Sequence, residues 1–275
     1  MISINTSKCS SCKSCIHICH TGCISLKNDL PVLNHELCST CTQCVAVCPE
    51  QAIMWKGYGG KEIVRELLPS SEQLKEFFKQ RRSVRKFLET PIEKETLEKI
   101  ALISKYAPTN NYSIDVIIVD NKDLIEQLEA EAITYIKKAY NRFYHSPFIF
   151  KLMKKLTPAF NDIDKAKIER TLQRGSIFQK ARALIVLTAD KRIVHTELSA
   201  QYGLYNMSLY AQSLGIGSCI SGAGKSILSK SKSVKRLLHI SADKHIIGIL
   251  FLGYSKYRFP NKVDHLVPSI QWNNE

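Results

Sequence analysis

The sequence contains no apolar run as long as the roughly 18 to 20 residues that a membrane-spanning helix needs. Its opening residues, MISINTSKCS, lack the basic segment followed by an apolar stretch that marks a secretory signal. With 44% hydrophobic residues, the composition also excludes a chain that is disordered throughout. We therefore expect a soluble, cytoplasmic protein that folds around a hydrophobic core and does not bind a membrane.

Cysteine is almost absent after Cys48, where only Cys219 is found, although nine cysteines lie between Cys9 and Cys48. A secreted disulfide-rich protein would spread its cysteines over the fold that they cross-link, whereas clustered cysteines in a reducing compartment are thiolate ligands for metal. The sequence therefore predicts a metal-binding segment at the beginning of a 275-residue chain, which is long enough for two unequal domains.

Positive charge is distributed unevenly along the chain. The part from Met1 to Gly60 contains four lysines and three acidic residues, so almost all of the formal net charge of +14 lies beyond it. Such an excess suits a nucleic acid, an anionic cofactor or an acidic protein partner. The basic stretch from Lys225 to Arg236 is interpreted first as a solvated helix face, second as a docking surface for an acidic electron donor, and third as a nucleic-acid surface. No nucleic-acid-binding motif accompanies it, and we expect no nucleic-acid partner.

Eight of the cysteines form an internal repeat. The pattern Cys-x-x-Cys-x-x-Cys-x-x-x-Cys begins at Cys9 and ends at Cys19, and it occurs again from Cys38 to Cys48. Three cysteines at this spacing can surround one face of an iron–sulfur cube, and the fourth starts the segment that leads away. Zinc is the alternative, but a zinc site uses pairs of close cysteines and would leave some of these over.

This repeat resembles that of the bacterial two-cluster 4Fe-4S ferredoxins, over about residues 1 to 60. In that family the fourth cysteine of each repeat ligates the other cluster. The resemblance therefore implies two 4Fe-4S clusters with crossed ligands, namely Cys9, Cys12, Cys15 and Cys48 at one, and Cys38, Cys41, Cys44 and Cys19 at the other. One departure is His20, which stands where Pro49 stands in the second repeat.

The ninth cysteine of this segment, Cys23, lies outside the repeat and aligns with Ala52 of the second half. Each is followed by an isoleucine, in what we expect to be a short strand packed over a cluster. Because a free cysteine behaves as a small hydrophobic residue, we interpret Cys23 as a buried filler and exclude it from the ligands.

A glycine-rich stretch at residues 57–60, Gly-Tyr-Gly-Gly, is typical of a turn and an exit linker. We therefore predict a two-cluster domain over residues 1–62 and a second domain over residues 70–275.

The second domain alternates strand and helix patterns, which predicts an α+β or α/β class with helices covering a small sheet. Buried strands are expected at 114–120, 183–188 and 246–252, and helices at about 122–142, 164–179 and 194–214. Thr90-Pro91-Ile92-Glu93 is typical of a capping box with proline at the first helical position, and predicts a helix over 91–105. The bulky apolar segment 143–163 is interpreted either as core or as a lid over a pocket.

Residues 81–85, Arg-Arg-Ser-Val-Arg, place three guanidinium groups and a hydroxyl within five positions. Guanidinium forks match a phosphate in geometry as well as charge. An anion-binding site is one interpretation, and a solvated basic face is the other.

This segment is the first of four ordered landmarks. Arg-Arg-Ser-x-Arg-x-Phe at 81–87 precedes Ala-Pro-Thr-Asn-Asn at 107–111, Ala-Gln-Ser-Leu-Gly-Ile-Gly-Ser-Cys at 211–219 and Leu-Gly-Tyr-Ser-Lys-Tyr-Arg at 252–258. In this order they resemble the nitroreductase family of FMN proteins. Behind a ferredoxin module, they resemble the ferredoxin-fused nitroreductases.

That resemblance implies an α+β nitroreductase-like domain, a homodimer with interlocked subunits, and FMN at the dimer interface. The residues it implies for FMN are Arg81, Arg82, Ser83 and Arg85 at the phosphate and ribityl chain, Lys256 and Arg258 near the phosphate, and Asn110 or Asn111 facing the flavin. Residues 215–219, Gly-Ile-Gly-Ser-Cys, are interpreted as a turn, after which Ser221 and Gly222 would present backbone groups to the isoalloxazine. No side chain is expected to act as a nucleophile.

The function implied is that of an iron–sulfur flavoprotein oxidoreductase. Its clusters would pass single electrons to FMN, and FMN would reduce an electrophilic small-molecule acceptor such as a nitroaromatic, a quinone or an activated alkene. Reduced ferredoxin or NAD(P)H is the expected electron donor. Two alternatives stay open, an electron-transfer adaptor that holds FMN without turnover, and an ene-reductase or dehalogenase-like branch of the same superfamily.

Overall fold

The computed structural model describes residues 1–108, 113–144, 165–263, 265 and 267–273. The chain divides into two compact units, Met1–Ser70 and Ser71–Glu275. Both units combine helices with antiparallel strands, and the predicted α+β class is confirmed.

The N-terminal unit consists of two similar halves, each with a cysteine loop, a five-residue helix and short strands. Its helices are α1 (Ser14–Ile18) and α2 (Gln43–Val47), and its strands are β1 (Ile2–Ile4), β2 (Ile24–Lys27), β3 (Leu30–Leu33), β4 (Ile53–Trp55) and β5 (Tyr58–Gly59). Strand β1 pairs with β4, β4 with β5, and β2 with β3.

The repeat in this unit extends from the cysteines to the backbone around them. Asn5 and Asn34 accept equivalent hydrogen bonds, from Ser7 N at 3.1 Å and from Glu36 N at 3.0 Å. Left-handed backbone also recurs at equivalent places in the two halves, at Ser11 and Thr40, at Lys13 and Thr42, and at Gly22 and Gln51. Both cysteine loops therefore adopt one conformation, as two similar clusters require.

The second unit is built on a four-stranded antiparallel sheet. Its strands are β6 (Ile114–Val119), β7 (Ala183–Asp190), β8 (Gly217–Ile220) and β9 (Lys244–Gly253), in the order β6-β7-β9-β8. Its helices are α3 (Ser71–Gln80), α4 (Lys94–Leu102), α5 (Lys122–Tyr144), α6 (Lys165–Arg174), α7 (Thr196–Ser213), α8 (Gly222–Leu228) and α9 (Lys232–Leu237).

Helices cover both faces of this sheet. In β7, Leu184 and Val186 belong to a core shared with α5, α8 and α9, whereas Ile185 and Leu187 belong to a core shared with α4 and α7. Because both faces are buried, the central strands are continuous apolar runs and not alternating patterns. This is why the sequence predicts β7 and β9 close to their observed bounds. The edge strand β6 is also found where the sequence predicts a strand.

The helices at 122–142 and 194–214 are likewise found, as α5 and α7. The helix predicted at 164–179 is shorter. It ends at Arg174 because Gly175 has φ +63° and donates its N–H to Thr171 O at 3.0 Å, which closes the last turn.

The capping-box prediction is wrong. Helix α4 begins at Lys94 after Glu93, and Leu102 is followed by a 3-10 turn over Ile103–Tyr106. Ile92 and Leu97 lie in the same buried core, at the positions of a hydrophobic staple around Glu93. Burial of Ile92 therefore sets the start of the helix, and Thr90 lies too early to cap it.

The landmark at 211–219 is also misinterpreted as ending in a turn. Only Gly215, with φ +73°, turns the chain, and Gly217–Ile220 forms strand β8. Its register pairs Gly217 with Gly253 of β9.

Residues 145–163, most of the predicted core or lid segment, lie outside the described residues. No helix in the described ranges combines the length and the apolar content of a membrane span.

Candidate functional site

Two cavities in the N-terminal unit are lined by the cysteines of the repeat. One is lined by Cys9, Cys12, Cys15 and Cys48, and the other by Cys19, Cys38, Cys41 and Cys44. Each cavity thus combines three cysteines of one repeat with the last cysteine of the other. Two clusters with exchanged fourth ligands require this crossed grouping.

Backbone donors already point at two of these sulfurs. Ser11 N donates to Cys9 Sγ at 3.4 Å, and Ala52 N donates to Cys48 Sγ at 3.3 Å. Hydrogen bonds of this kind stabilise the charge of thiolate ligands and tune the reduction potential of a cluster.

The two exposed cysteines differ in their polar neighbours. Cys12 Sγ donates to Ser14 Oγ at 3.4 Å, whereas Cys41 Sγ lies 4.0 Å from Nδ1 of His20, the residue in place of the proline. Because the hydrogen bonding around the sulfurs sets cluster potentials, two clusters held here would differ in potential.

The donor set fits an iron–sulfur cluster better than a single ion. Burial raises the pKa of Cys44 to about 11, and coordination to metal would offset this cost of forming the thiolate. Within the described ranges, no three His, Cys, Asp or Glu side chains converge closely enough to hold one metal ion. Zinc needs four ligands about 2.3 Å from one point, whereas sulfurs around the wall of a cavity suit a four-iron cube.

Cys23 is buried, as predicted, and it also reaches the second cavity. Its Sγ lies 3.4 Å from Cys19 Sγ, and burial raises its pKa to about 11. Ala52 occupies the equivalent place at the first cavity. The exclusion of Cys23 from the ligands stays a prediction, which this symmetry supports.

In the second unit, the arginine segment at 81–88 is fixed to the sheet by backbone pairing. Val84 N donates to Ser218 O at 2.8 Å, and Lys256 N donates to Lys86 O at 2.9 Å. This pairing brings together three of the four sequence landmarks, which are far apart along the chain.

Two glycines allow this close approach. A Cβ on Gly217 would lie 2.9 Å from Val84 Cγ2, and a Cβ on Gly253 would lie 2.7 Å from Phe87 Cδ1. Val84 and Phe87 are both buried. The glycines of the third and fourth landmarks are therefore needed because the first landmark packs on them.

Arg81 and Arg85 converge on one side of β8. Arg81 Nη1 donates to Ser83 Oγ and Arg85 Nη1 to Ser83 O, each at 3.4 Å. Burial raises the pKa of the Cys219 thiol, and the charges of both arginines oppose that rise. Neither arginine forms an ion pair within the described part of the chain, so their charges are available for an anion.

Arg82 is placed elsewhere. Its Nη1 donates to Lys79 O and to Arg81 O, both at 2.8 Å, which satisfies carbonyl groups at the end of α3. It lines a separate cavity beside Gln212 and Phe259. The structure therefore separates Arg82 from Arg85, with which the sequence grouped it.

Ser221 and Gly222 differ in the hydrogen bonding of their backbone N–H groups. Ser221 N donates to Ile249 O at 3.1 Å, and its Oγ accepts from Gly224 N at 3.0 Å, so its N–H and hydroxyl are both engaged. A Cβ on Gly222, by contrast, would meet no atom within 4 Å. As the first residue of α8, Gly222 has no intrahelical acceptor for its N–H, and it can present that group to a ligand.

A cavity of about 320 Å³ beside the arginine segment collects positive charge. The basic residues that line it are Arg85, Lys86, Arg174, Lys180 and Lys256, and the acidic residue Glu89 lines it as well. Arg85 and Lys256 are expected from the sequence. Arg174 and Lys180 are not, because nothing in their local pattern distinguishes them from solvated basic residues. Exposed Arg258 does not line this cavity, and Asn110 and Asn111 lie outside the described residues.

Two family models match parts of this chain. The family model described as "Nitroreductase family" matches residues 78–254, and one described as "4Fe-4S dicluster domain" matches residues 8–53. A search of curated proteins found no match.

Solved structures share the fold. An FMN-bound nitroreductase from Desulfitobacterium hafniense has a TM-score of 0.55 at 20% identity, covering 71% of this chain and 97% of that one. An FMN-bound nitroreductase from Bacteroides fragilis has a TM-score of 0.55 at 19% identity, covering 72% and 99%. An FMN-dependent nitroreductase from Clostridium difficile has a TM-score of 0.53 at 16% identity, covering 74% and 100%.

Proposed function

Because the chain belongs to the nitroreductase family and has a ferredoxin-like 4Fe-4S domain ahead of the family's fold, we propose that it is an FMN-dependent oxidoreductase fed by its own clusters. The crossed grouping of eight cysteines around two cavities carries this proposal. When bound, the clusters would supply single electrons, and FMN would collect two and deliver them to an electrophilic acceptor.

The cysteines of each cavity would hold one 4Fe-4S cluster, with one ligand supplied by the opposite half of the unit. Because Cys19 and Cys48 would each ligate the cluster of the opposite half, the two clusters would cross-link the halves. Cluster binding is therefore coupled to folding of a unit whose own hydrophobic core is small.

Arg81, Ser83, Arg85 and Lys256 would bind the phosphate and ribityl chain of FMN. This assignment is supported by the convergence of two guanidinium groups, neither of which forms an ion pair with any described residue, beside a cation-lined cavity. The N–H of Gly222 would donate toward the isoalloxazine, where nearby donors tune flavin electronics. Arg258 near the phosphate and Asn110 or Asn111 facing the flavin complete the proposed set, and Arg82 is assigned to the end of α3 instead.

The exposed face of α7 supports a homodimer. Leu198, Tyr202 and Tyr205 lie at helical spacing, with 54%, 44% and 41% of their surface exposed. The opposite face of α7 is already buried in the core. A helix that is apolar on both faces is normally covered, and a second copy of the chain is the partner that we propose.

The proposed acceptor is a planar electrophile such as a nitroaromatic, a quinone or an activated alkene, and the proposed donor is reduced ferredoxin or NAD(P)H. We propose a cytoplasmic location because clustered thiolate ligands are kept reduced there.

Stopped-flow flavin reduction under anaerobic conditions tests the route through the clusters. The chain with C12S and C41S, which removes the exposed ligand of each cavity, is compared with wild type using reduced ferredoxin as donor. We expect at least a tenfold slower flavin reduction with FMN content unchanged. The matched control is S3A with S25A, at exposed serines of β1 and β2 that line neither cysteine cavity.

Equal rates in wild type and the cysteine variant would contradict the proposed route. The same pair assayed with NADH and NADPH shows whether hydride reaches FMN without the clusters. Finally, a protein that holds FMN and reduces no acceptor in a screen would be an electron-transfer adaptor, and the proposed enzyme activity would be wrong.

A further inference from the structure

We propose that the segment joining α6 to β7 supplies two further phosphate-binding residues, Arg174 and Lys180, to the flavin site. The inference rests on the proposed binding of FMN. It extends the site beyond the four sequence landmarks to a segment that carries no recognisable motif.

The first observation is the charge of the cavity. Arg174 and Lys180 line it together with Arg85 and Lys256, which the sequence landmarks assign to FMN, and with Lys86. None of these five cations forms an ion pair within the described residues. One acid, Glu89, also lines the cavity, so the cations still outnumber the acid by five to one. Cations gathered in such excess repel one another unless an anion is bound between them. The cavity therefore fits a ligand of high negative charge, such as a phosphate monoester.

The second observation is that the segment is firmly held. Glu129 of α5 accepts three hydrogen bonds from it through Oε1, from Ser176 Oγ at 2.8 Å, from Ile177 N at 2.6 Å and from Phe178 N at 2.8 Å. Phe178 is fully buried, with its ring centroid 5.4 Å from that of Phe251. Arg174 and Lys180 are thus presented from an anchored segment, which reduces the entropy lost on binding.

The third observation is local strain at the cavity. Gln179 and Lys180 both have left-handed backbone, with φ of 58° and 61°, which residues other than glycine rarely adopt. Gln179 Oε1 is also buried without a hydrogen-bond partner in the described part of the chain. Strained backbone and an unsatisfied buried polar atom are typical of binding sites.

These features favour FMN over inorganic phosphate. The cations suit a phosphate group, and a cavity of about 320 Å³ has the volume of a small-molecule site, which is more than a phosphate ion alone would fill. Because Arg85 and Lys256 line the same cavity, one ligand can satisfy both sets of residues. The 2′-phosphate of NADPH is the other source of the same chemistry, and the test must separate the two.

The test compares FMN with riboflavin, which lacks the phosphate. The full chain is depleted of flavin, and dissociation constants are measured from flavin fluorescence for wild type and for R174Q with K180Q. We expect the double variant to bind FMN at least tenfold more weakly and riboflavin as wild type does. Unchanged riboflavin binding also shows that the variant is folded. R170Q, on the exposed side of α6, is the matched control, and R174K with K180R should restore FMN affinity.

Three outcomes would overturn the inference. If R85Q weakens FMN binding while R174Q with K180Q does not, the segment plays no part and the proposed function stands. If the double variant loses only its preference for NADPH over NADH, the cavity binds the nicotinamide nucleotide. If wild type binds neither FMN nor riboflavin, the proposed function itself is wrong and this inference fails with it.

Discussion

Cys19 and Cys23 have sulfur atoms only 3.4 Å apart, but we assign them different roles. Replacing Cys23 by alanine copies the first half of the unit, where Ala52 stands at the equivalent position. C23A should therefore retain about eight iron atoms per chain, whereas C19A should lose about half. Iron and sulfide counts on anaerobically purified variants check this. Loss of iron in C23A equal to that in C19A would make Cys23 a ligand.

Arg82 and Arg85 give a second prediction for single residues. Arg85 faces the proposed phosphate site, so R85Q should weaken FMN binding by about ten- to a hundredfold, the effect of a lost hydrogen bond to a charged group. Arg82 bonds carbonyl groups at the end of α3. R82Q should leave FMN affinity unchanged and lower the free energy of unfolding by about 1 to 3 kcal/mol. Flavin titration and urea unfolding of both variants decide between these roles, and the reverse pattern would contradict them.

For single residues, the sequence predicts which residue types belong to the candidate sites. The structure shows which of these side chains lie close together. The eight cysteines are predicted because their spacing is local and repeated. The different surroundings of Arg82 and Arg85 are not predicted, because they depend on the pairing of this segment with Ser218, which lies far along the chain. Arg174 and Lys180 are missed because their local pattern is that of solvated basic residues, and only the fold brings them beside Arg85 and Lys256.

The packing of the arginine segment against strand β9 depends on Gly253. A Cβ on Gly253 would lie 2.7 Å from the ring of Phe87, so G253A should displace the segment from the sheet. We expect a loss of about 1 to 3 kcal/mol in the free energy of unfolding, typical of overpacking, together with weaker FMN binding. Urea unfolding and flavin titration measure both effects.

G222A is the stability control for this prediction, because its new methyl group would meet no atom within 4 Å. It should leave the free energy of unfolding nearly unchanged. Equal stability of G253A and wild type would show that Phe87 moves aside freely, and that the glycine is not needed for packing.

Elements whose signal is local periodicity are predicted well, as β7, α5 and α7 illustrate. Elements whose secondary structure depends on contacts with residues far along the chain are predicted poorly. Gly217–Ile220 looks like a turn because it contains glycine and serine, but it becomes a strand by pairing with β9. The start of α4 is likewise fixed by burial of Ile92, which no capping pattern reveals.

For the whole molecule, the proposed homodimer predicts a mass about twice the 31.2 kDa of one chain. Y202E with Y205E places two charges on the exposed face of α7, and should yield monomers that lose FMN, because FMN is proposed to lie at the interface. Light scattering with flavin quantification measures both properties. K232E on exposed α9 is the control, and a wild-type monomer that retains FMN would contradict the proposed interface.

The two-part organisation follows from the sequence because both signals are contained within their own stretch of chain. The dicluster model matches residues 8–53 and the nitroreductase model residues 78–254, on either side of the division after Ser70. The predicted strands and landmarks bring their residues to one sheet, but only the folded sheet shows that the segment before β7 reaches the same cavity.

One chain is proposed to carry two 4Fe-4S clusters and one FMN. We would test this with an anaerobic ultraviolet–visible spectrum, with iron, sulfide and FMN counted on the same sample. We expect about eight iron atoms, about eight sulfides and about one FMN per chain. Zinc in place of iron, or a full iron content on a protein that cannot bind FMN, would contradict it.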